Sequence, residues 1–153
     1  GLPLTREITF KTESAITVKE NPLLLTTKHQ IAEKQGSTDY VVIDTRSKEE
    51  YEGTDKRRNK YGGHIPHAVH LSWTDNLIMN EDGNPTLRSY DELKIMYETA
   101  GILPHKTAIP YCQTNVRGSN TYFVLRLMGY QDIRPYEGSW SEWGNADDIK
   151  IEK

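Results

Sequence analysis

Short apolar runs alternate with polar, turn-rich segments along most of the 153-residue chain. Five runs rich in β-branched and aromatic residues are too short for helices and predict strands, at residues 15–18, 40–44, 68–71, 107–111 and 132–136. The run at 107–111 precedes the only cysteine of the chain, and we interpret it as a buried strand.

Helical patterns lie between these runs. Two helices are predicted to open with a capping box and to end at a glycine: 27–35 (Thr27 with Gln30, then Gly36) and 89–100 (Ser89 with Glu92, then Gly101). Shorter helical segments are predicted at 47–51, at 73–77 and around the tryptophans 140 and 143. Residues 119–128 predict a helix that is apolar almost all round and closed by Gly129, so we expect it to be buried on most sides.

Strands and helices therefore alternate about five times along the chain. Each parallel pair of neighbouring strands needs a crossover, and a helix is its usual form. The order predicts an α/β fold in three layers, with a central parallel sheet of about five strands and helices on both faces. The size is that of one domain with a sizeable core.

Composition narrows the function classes. The net charge is −3, which gives no basic excess for a nucleic acid. No run approaches the ~18 apolar residues of a membrane span. One cysteine excludes an internal disulfide and a cysteine-rich zinc site, and the five histidines are scattered, so we expect no metal. A cytoplasmic location is our expectation, although a mature exported protein would have the same composition.

The chemistry is concentrated around Cys112. This cysteine follows a predicted strand and precedes a helix, which places it at the sheet edge where α/β folds bind ligands. Free N–H groups and the helix dipole favour an anion there, and the thiolate itself would be such an anion. A lone cysteine is often a small buried hydrophobe instead. Here the following residues are too polar for a packed core: Gln113, Thr114, Asn115 and Arg117.

Three segments carry a family resemblance. Cys112 is followed after four residues by Arg117 and then by Gly118 and Ser119 at the start of a helix, which resembles the active-site loop of the rhodanese (sulfurtransferase) family. Residues 42–46 with 63–68, and residues 136–143, resemble two further family segments in family order. The resemblance runs from about residue 38 to 144 and implies the same three-layer α/β fold.

The resemblance also implies a function. Cys112 would be the nucleophile that takes a sulfane sulfur from a donor such as thiosulfate and passes it, as a persulfide, to cyanide or a thiol. The backbone of Gln113, Thr114, Asn115, Val116 and Gly118 would surround the sulfur. Arg117, with Arg46 second, would bind the anionic end of the donor. These roles require no metal or organic cofactor, and the partners would be small molecules.

Some positions depart from the better-studied family loops. Gln113 and Thr114 are neutral where thiosulfate-type enzymes often carry a positive residue, which leaves the donor open. Asn115 and His67 stand where many members have glycine. Asparagine tolerates a left-handed backbone better than most residues, so we expect the loop to form.

Other roles for these residues stay open at this stage. Arg117 would otherwise brace the loop, and Arg46 would otherwise be a surface arginine paired with Glu49 or Glu50. We interpret Asp44 as a brace and His64 as a hydrogen-bonded structural histidine. The charged loop at 53–63 is either a rim of the pocket or, as we prefer, a solvated loop.

Two other functions compete with sulfur transfer. Related phosphatases use a loop one residue longer, whereas the sixth residue after Cys112 here is Gly118. A shorter ring of N–H groups fits one sulfur atom better than a phosphate. A non-catalytic binding or regulatory module is the other alternative, although such domains have often lost the cysteine.

The beginning of the chain indicates a longer protein. The opening at residues 1–3 is typical of a linker, and the second half of tandem sulfurtransferases begins in a similar way. We therefore predict an N-terminal extension at 1–13 and a catalytic domain at 14–150. The resemblance also implies a non-catalytic N-terminal domain of the same family as a partner in the full-length protein.

Overall fold

The computed structural model describes residues 4, 6–8, 10, 12–19 and 21–153. Its strands are β1 Tyr40–Asp44, β2 Val69–His70, β3 Leu77–Met79, β4 Pro85–Leu87 and β5 Thr107–Tyr111. Its α-helices are α1 Lys28–Glu33, α2 Lys48–Tyr51, α3 Tyr90–Thr99, α4 Val116–Leu127 and α5 Ser139–Trp143. Two 3₁₀ turns lie at Pro22–Leu24 and Trp73–Asn76. Both predicted capping boxes are present, and Ser47 and Glu50 form a third.

The central sheet is parallel, with strand order β2–β1–β5. Beyond β5, residues 132–136 continue this order through one parallel bridge between Ala108 and Ile133, and Thr26 bridges Tyr136 in the same sense. Of the predicted sheet of about five strands, three are regular strands. The two further positions, at residues 132–136 and at Thr26, are joined by single bridges only. A small antiparallel pair, β3 with β4, stands apart from it.

The strand predicted at residues 15–18 is wrong. This segment has no regular secondary structure, and Ile16 and Val18 are 83% and 78% exposed. β-Branched residues favour a strand only where a pleated surface packs against them, and the sheet edge is taken by Thr26 instead. Residues 1–3, on which the predicted extension partly rests, lie outside the described residues.

Helices cover both faces of the sheet, as predicted. On one face Val41, Ile43 and Ala108 pack with α3 and α4 in one apolar core. On the other face Ile109 and Tyr111 pack with α1 and α5 in a second core. Alternate residues of a strand point to opposite faces, so Ala108 packs in the first core and Ile109 and Tyr111 in the second, and all five residues of β5 are buried.

Helix α4 differs from its prediction in two ways. It begins at Val116, three residues earlier than predicted, because the left-handed Asn115 (φ 60°) lets the chain turn directly from the loop into the helix. It is not buried on most sides, since Phe123 and Leu127 are 55% and 59% exposed. The buried face holds Gly118, Thr121, Val124 and Leu125. None of the helices in the described ranges is both long and apolar enough to cross a membrane.

Candidate active site

Cys112 lies directly after β5 and is 1% exposed. The start of α5 holds its backbone on both sides: Ser139 Oγ accepts a hydrogen bond from Cys112 N at 3.3 Å, and Trp140 N donates to Cys112 O at 2.9 Å. Ser141 N donates to Gln113 O at 2.9 Å. The segment at 136–143 therefore fixes the position of the cysteine, a role that its place in the sequence does not reveal.

The loop after Cys112 leaves its amides free. Within the part of the chain that the structure describes, no protein acceptor receives a backbone hydrogen bond from residues 113–118, and the first helical bond is Ser119 N to Asn115 O at 2.9 Å. Gly118 is buried beneath the Asn115 side chain, which leaves no room for a Cβ. Unpaired N–H groups at the start of a helix stabilise an anion. The loop therefore offers a cradle of unpaired donors in the residues that directly follow Cys112.

Arg117 is held beside this cradle by Glu50 of α2. Its Nη1 and Nη2 donate to Glu50 Oε2 and Oε1 at 2.6 and 2.8 Å. The hydrogen bond to Glu50 is the first cause that raises the pKa of Arg117, and the nearby Cys112 acts in the same direction. The structure therefore shows the brace, and the donor-binding role of Arg117 stays a prediction.

Glu50 is a carboxylate with no exposed surface. Burial alone would raise its pKa, but hydrogen bonds from Arg117 and Ser47, with the charges of Arg117 and Arg57, outweigh this and hold the pKa at about 2. Arg57 Nε lies 3.4 Å from Glu50 Oε1. Glu50 thus stays ionised over the whole physiological range and keeps the Arg117 guanidinium in place.

This ion pair predicts a pH dependence of stability. Because the Glu50 pKa is depressed from 4.5 to about 2, its contribution is complete above about pH 5 and is lost as the pH falls towards 2. We expect Glu50→Gln to lower the free energy of unfolding by roughly 2–3 kcal/mol at pH 7. The difference in free energy of unfolding between the wild type and Glu50→Gln should shrink as the pH falls. Urea unfolding of both proteins between pH 3 and 7 measures it, and a difference independent of pH would contradict the assignment.

An open cavity of about 800 Å³ lies over the loop. Four residues of the Cys112 loop line it together with two arginines of the 53–63 loop: Gln113, Thr114, Val116, Arg117, Arg57 and Arg58. The two loops are tied by a pair of amide hydrogen bonds, since Asn59 Nδ2 donates to Gln113 Oε1 and Gln113 Nε2 to Asn59 Oδ1, both at 3.1 Å. The preferred interpretation of 53–63 as only a solvated loop is therefore wrong, because the loop forms the rim.

Arg46 does not join this group. Its side chain is 1% exposed, and its Nε and Nη2 donate to Asp44 at 2.9 and 2.6 Å. Nη2 also donates to Gly63 O at 2.6 Å, and the guanidinium stacks 4.3 Å from the Trp140 ring centroid. The structure therefore corrects both predictions for Arg46, since it neither faces the cavity nor pairs on the surface with Glu49 or Glu50.

Asp44 and His64 have structural roles, as interpreted from the sequence. Asp44 is fully buried and accepts from Arg46 and from Tyr111 Oη at 2.6 Å. His64 Nδ1 lies 3.0 Å from Tyr51 O, and its ring stacks on that of Tyr51. His67 adopts a left-handed backbone with φ 64°.

Sequence reasoning missed several residues of the site. The sequence suggests Glu50 only as a surface partner of Arg46, whereas in the structure it caps α2 with Ser47 and pairs with Arg117. Ser139 lies in the segment at 136–143, and Arg58 and Asn59 lie in the loop at 53–63, but no local spacing marks these individual residues. In the described ranges no three potential metal ligands come together.

Comparison with known proteins agrees with this fold. The family model described as a rhodanese-like domain matches residues 27–146. The chain therefore belongs to the rhodanese-like family.

Curated relatives include sulfurtransferases. The thiosulfate sulfurtransferase of Azotobacter vinelandii is 32% identical over 98% of this chain and 54% of its own length. The thiosulfate sulfurtransferase of Pseudomonas aeruginosa is 36% identical over 82% of this chain and 45% of its own. The sulfur carrier protein TtuD of Thermus thermophilus is 34% identical over 96% of this chain and 51% of its own length. The chain spans about half the length of these relatives.

Solved structures of sulfur-transferring enzymes are also similar. A variant of EanB, with ergothioneine covalently linked to its persulfide cysteine, superposes with a TM-score of 0.81 at 28% identity, over 95% of this chain and 35% of that one. The anaerobic ergothioneine biosynthesis enzyme of Chlorobium limicola gives a TM-score of 0.76 at 28% identity, over 86% of this chain and 32% of that one. Together these relatives support a sulfurtransferase at the level of the family.

Proposed function

We propose that this domain transfers a sulfane sulfur from thiosulfate, through a persulfide on Cys112, to a thiophilic acceptor such as cyanide or a thiol. The observation that carries the proposal is the Cys112 loop itself. Its six amides are unpaired within the described chain, and its arginine is fixed beside the sulfur by Glu50. Two curated relatives named thiosulfate sulfurtransferase favour thiosulfate as the donor.

The first half-reaction forms the persulfide. The Cys112 thiolate attacks the sulfane sulfur of thiosulfate, a new S–S bond forms, and the old S–S bond breaks with its electron pair leaving on sulfite. Arg117 stabilises the negative charge that grows on the leaving sulfite. The amides of residues 113–118 receive the terminal sulfur of the persulfide, and such fixed donors are commonly the largest catalytic contribution.

The second half-reaction restores the enzyme. Cyanide attacks the terminal sulfur, thiocyanate leaves with that sulfur, and the electron pair of the broken S–S bond returns to Cys112 as a thiolate. A thiolate acceptor would leave as its own persulfide in the same way. Sulfite departs before the acceptor reacts, so the kinetics are ping-pong.

A persulfide measurement tests the proposal. Intact mass after brief incubation with thiosulfate should rise by one sulfur atom and return to its starting value with cyanide. Because Cys112 is the only cysteine, the added mass identifies the site. Hydrolysis of an aryl phosphate, measured in parallel, should stay at background. No sulfur gain from thiosulfate would overturn the choice of donor, and turnover of the aryl phosphate would favour the phosphatase alternative.

Three further assignments stay predictions about the full-length protein. They are the catalytic domain boundary at 14–150, a non-catalytic N-terminal partner domain, and a cytoplasmic location. The greater length of the matched relatives supports an additional domain.

A further inference from the structure

The cavity over the Cys112 loop is much larger than thiosulfate needs. Its volume of about 800 Å³ lies within the ~300–1,000 Å³ of sites that bury a drug-sized ligand. Val116, which is 75% exposed, and Thr114 line it beside the arginines. A second substrate with several groups beyond its reacting sulfur can therefore occupy the space outside the amide cradle.

Three guanidinium groups line this space, but they differ in how far they are neutralised. Arg117 is paired with Glu50, and Arg57 lies 3.4 Å from Glu50 and 3.3 Å from Asp55. Arg58 has no carboxylate or hydrogen-bond partner among the residues that the structure describes. Arg58 is therefore the cavity-lining cation whose charge is least neutralised by the described residues.

The loop fixes the backbone on both sides of Arg58, whose side chain is exposed and lines the cavity. On its N-terminal side Arg57 has a left-handed backbone (φ 53°) and donates from its N to Asp55 Oδ1 at 2.8 Å. On its C-terminal side Asn59 is bound to Gln113 of the active-site loop by both amide atoms. A left-handed arginine is uncommon and marks a constrained turn. Arg58 therefore stands between two fixed residues, one of them tied to the residue after Cys112.

We propose that Arg58 is a specificity-determining residue that binds an anionic group, a carboxylate, of a small-molecule thiol acceptor whose sulfur reacts with the Cys112 persulfide. The inference rests on the proposed function and narrows its acceptor class. The sulfur of the acceptor reaches the persulfide past Arg117, while its carboxylate lies at the rim against Arg58. Arg117 and Arg57 are less able to bind this carboxylate, because Glu50 and Asp55 already neutralise part of their charge.

Glutathione and its diethyl ester form a matched pair of probes, because they share one thiol and differ in their carboxylate charges. The protein is first loaded to the persulfide with thiosulfate. Loss of the added sulfur is then followed by mass for each thiol, with wild type, Arg58→Gln, Arg58→Lys and the control Lys94→Gln. Lys94 lies on α3 in an exposed pair with Glu98, away from the cavity.

The wild type should react roughly tenfold faster with glutathione than with the ester, which corresponds to one good charge interaction. Arg58→Gln should lose most of that preference with an unchanged rate for the ester, Arg58→Lys should keep part of it, and Lys94→Gln should keep all of it. A wild type without preference, or an Arg58→Gln variant that keeps it, overturns the proposal. Failure to load sulfur would instead refute the proposed function, so the two failures are distinguishable.

Discussion

Replacement of Cys112 with serine is expected to lower the rate of sulfur transfer by roughly a thousandfold or more. Serine has nearly the shape of cysteine, but its hydroxyl is a far weaker nucleophile and cannot store a transferable sulfur. The residue is buried, and its backbone is held by Ser139 and Trp140. The fold should therefore survive the change.

The measurement is thiocyanate formation from thiosulfate and cyanide, with thermal unfolding as the check on folding. Ser119→Ala offers a control in the same loop-to-helix segment, because Ser119 is exposed and its hydroxyl bonds only to Val116 O. We expect that control to retain activity within about threefold. Equal thiocyanate formation by wild type and Cys112→Ser would show that Cys112 is not the nucleophile. If neither protein formed thiocyanate above background, the binding-module alternative would be favoured instead.

The parts of the site that are contiguous in sequence were predictable. Cys112, Asn115 and Arg117 lie within six residues of each other, and their placement between a strand and a helix follows from the local sequence. The left-handed conformation of Asn115 follows from its residue type. The alternation of strands and helices likewise predicts the layers of the fold, because it constrains the crossover connections.

The parts that depend on distant contacts were not predictable. Glu50 meets Arg117 across 67 positions of the chain, and Asn59 meets Gln113 across 54. No periodicity encodes such pairs. The strand wrongly predicted at 15–18 has the same origin, because an apolar β-branched segment becomes a strand only when a sheet edge is free to pair with it.

Arg46 and Arg117 show how burial, rather than residue type, decides the role of an arginine. Both are paired with a carboxylate, yet Arg46 is 1% exposed between Asp44 and Trp140, whereas Arg117 is 22% exposed and lines the cavity. The Arg46 guanidinium is enclosed by its partners and does not line the cavity. We therefore expect Asp44 and Arg46 to support the structure of the site and the Cys112 loop to carry the chemistry.

Substitution of Arg46 by methionine should therefore reduce stability far more than catalysis. It leaves the buried Asp44 without its cation, and loss of one partner of a buried pair costs about 3–5 kcal/mol. We expect the free energy of unfolding to fall by that amount in urea titrations. The Michaelis constant for thiosulfate and the turnover number of the folded protein should change less than about threefold, since Arg46 does not line the cavity.

Lys48→Met is the matched control for this change. Lys48 is 72% exposed and pairs with Glu52 at 3.6 Å on the surface of α2, so its removal should cost less than about 1 kcal/mol. A stable Arg46→Met protein with a Michaelis constant for thiosulfate raised tenfold or more would reverse our assignment. That result would place Arg46 at the substrate after all and would require the buried Asp44–Arg46 pair to open during the reaction. Measuring both the stability and the kinetics of Arg46→Met therefore distinguishes a structural role of Arg46 from a substrate-binding one.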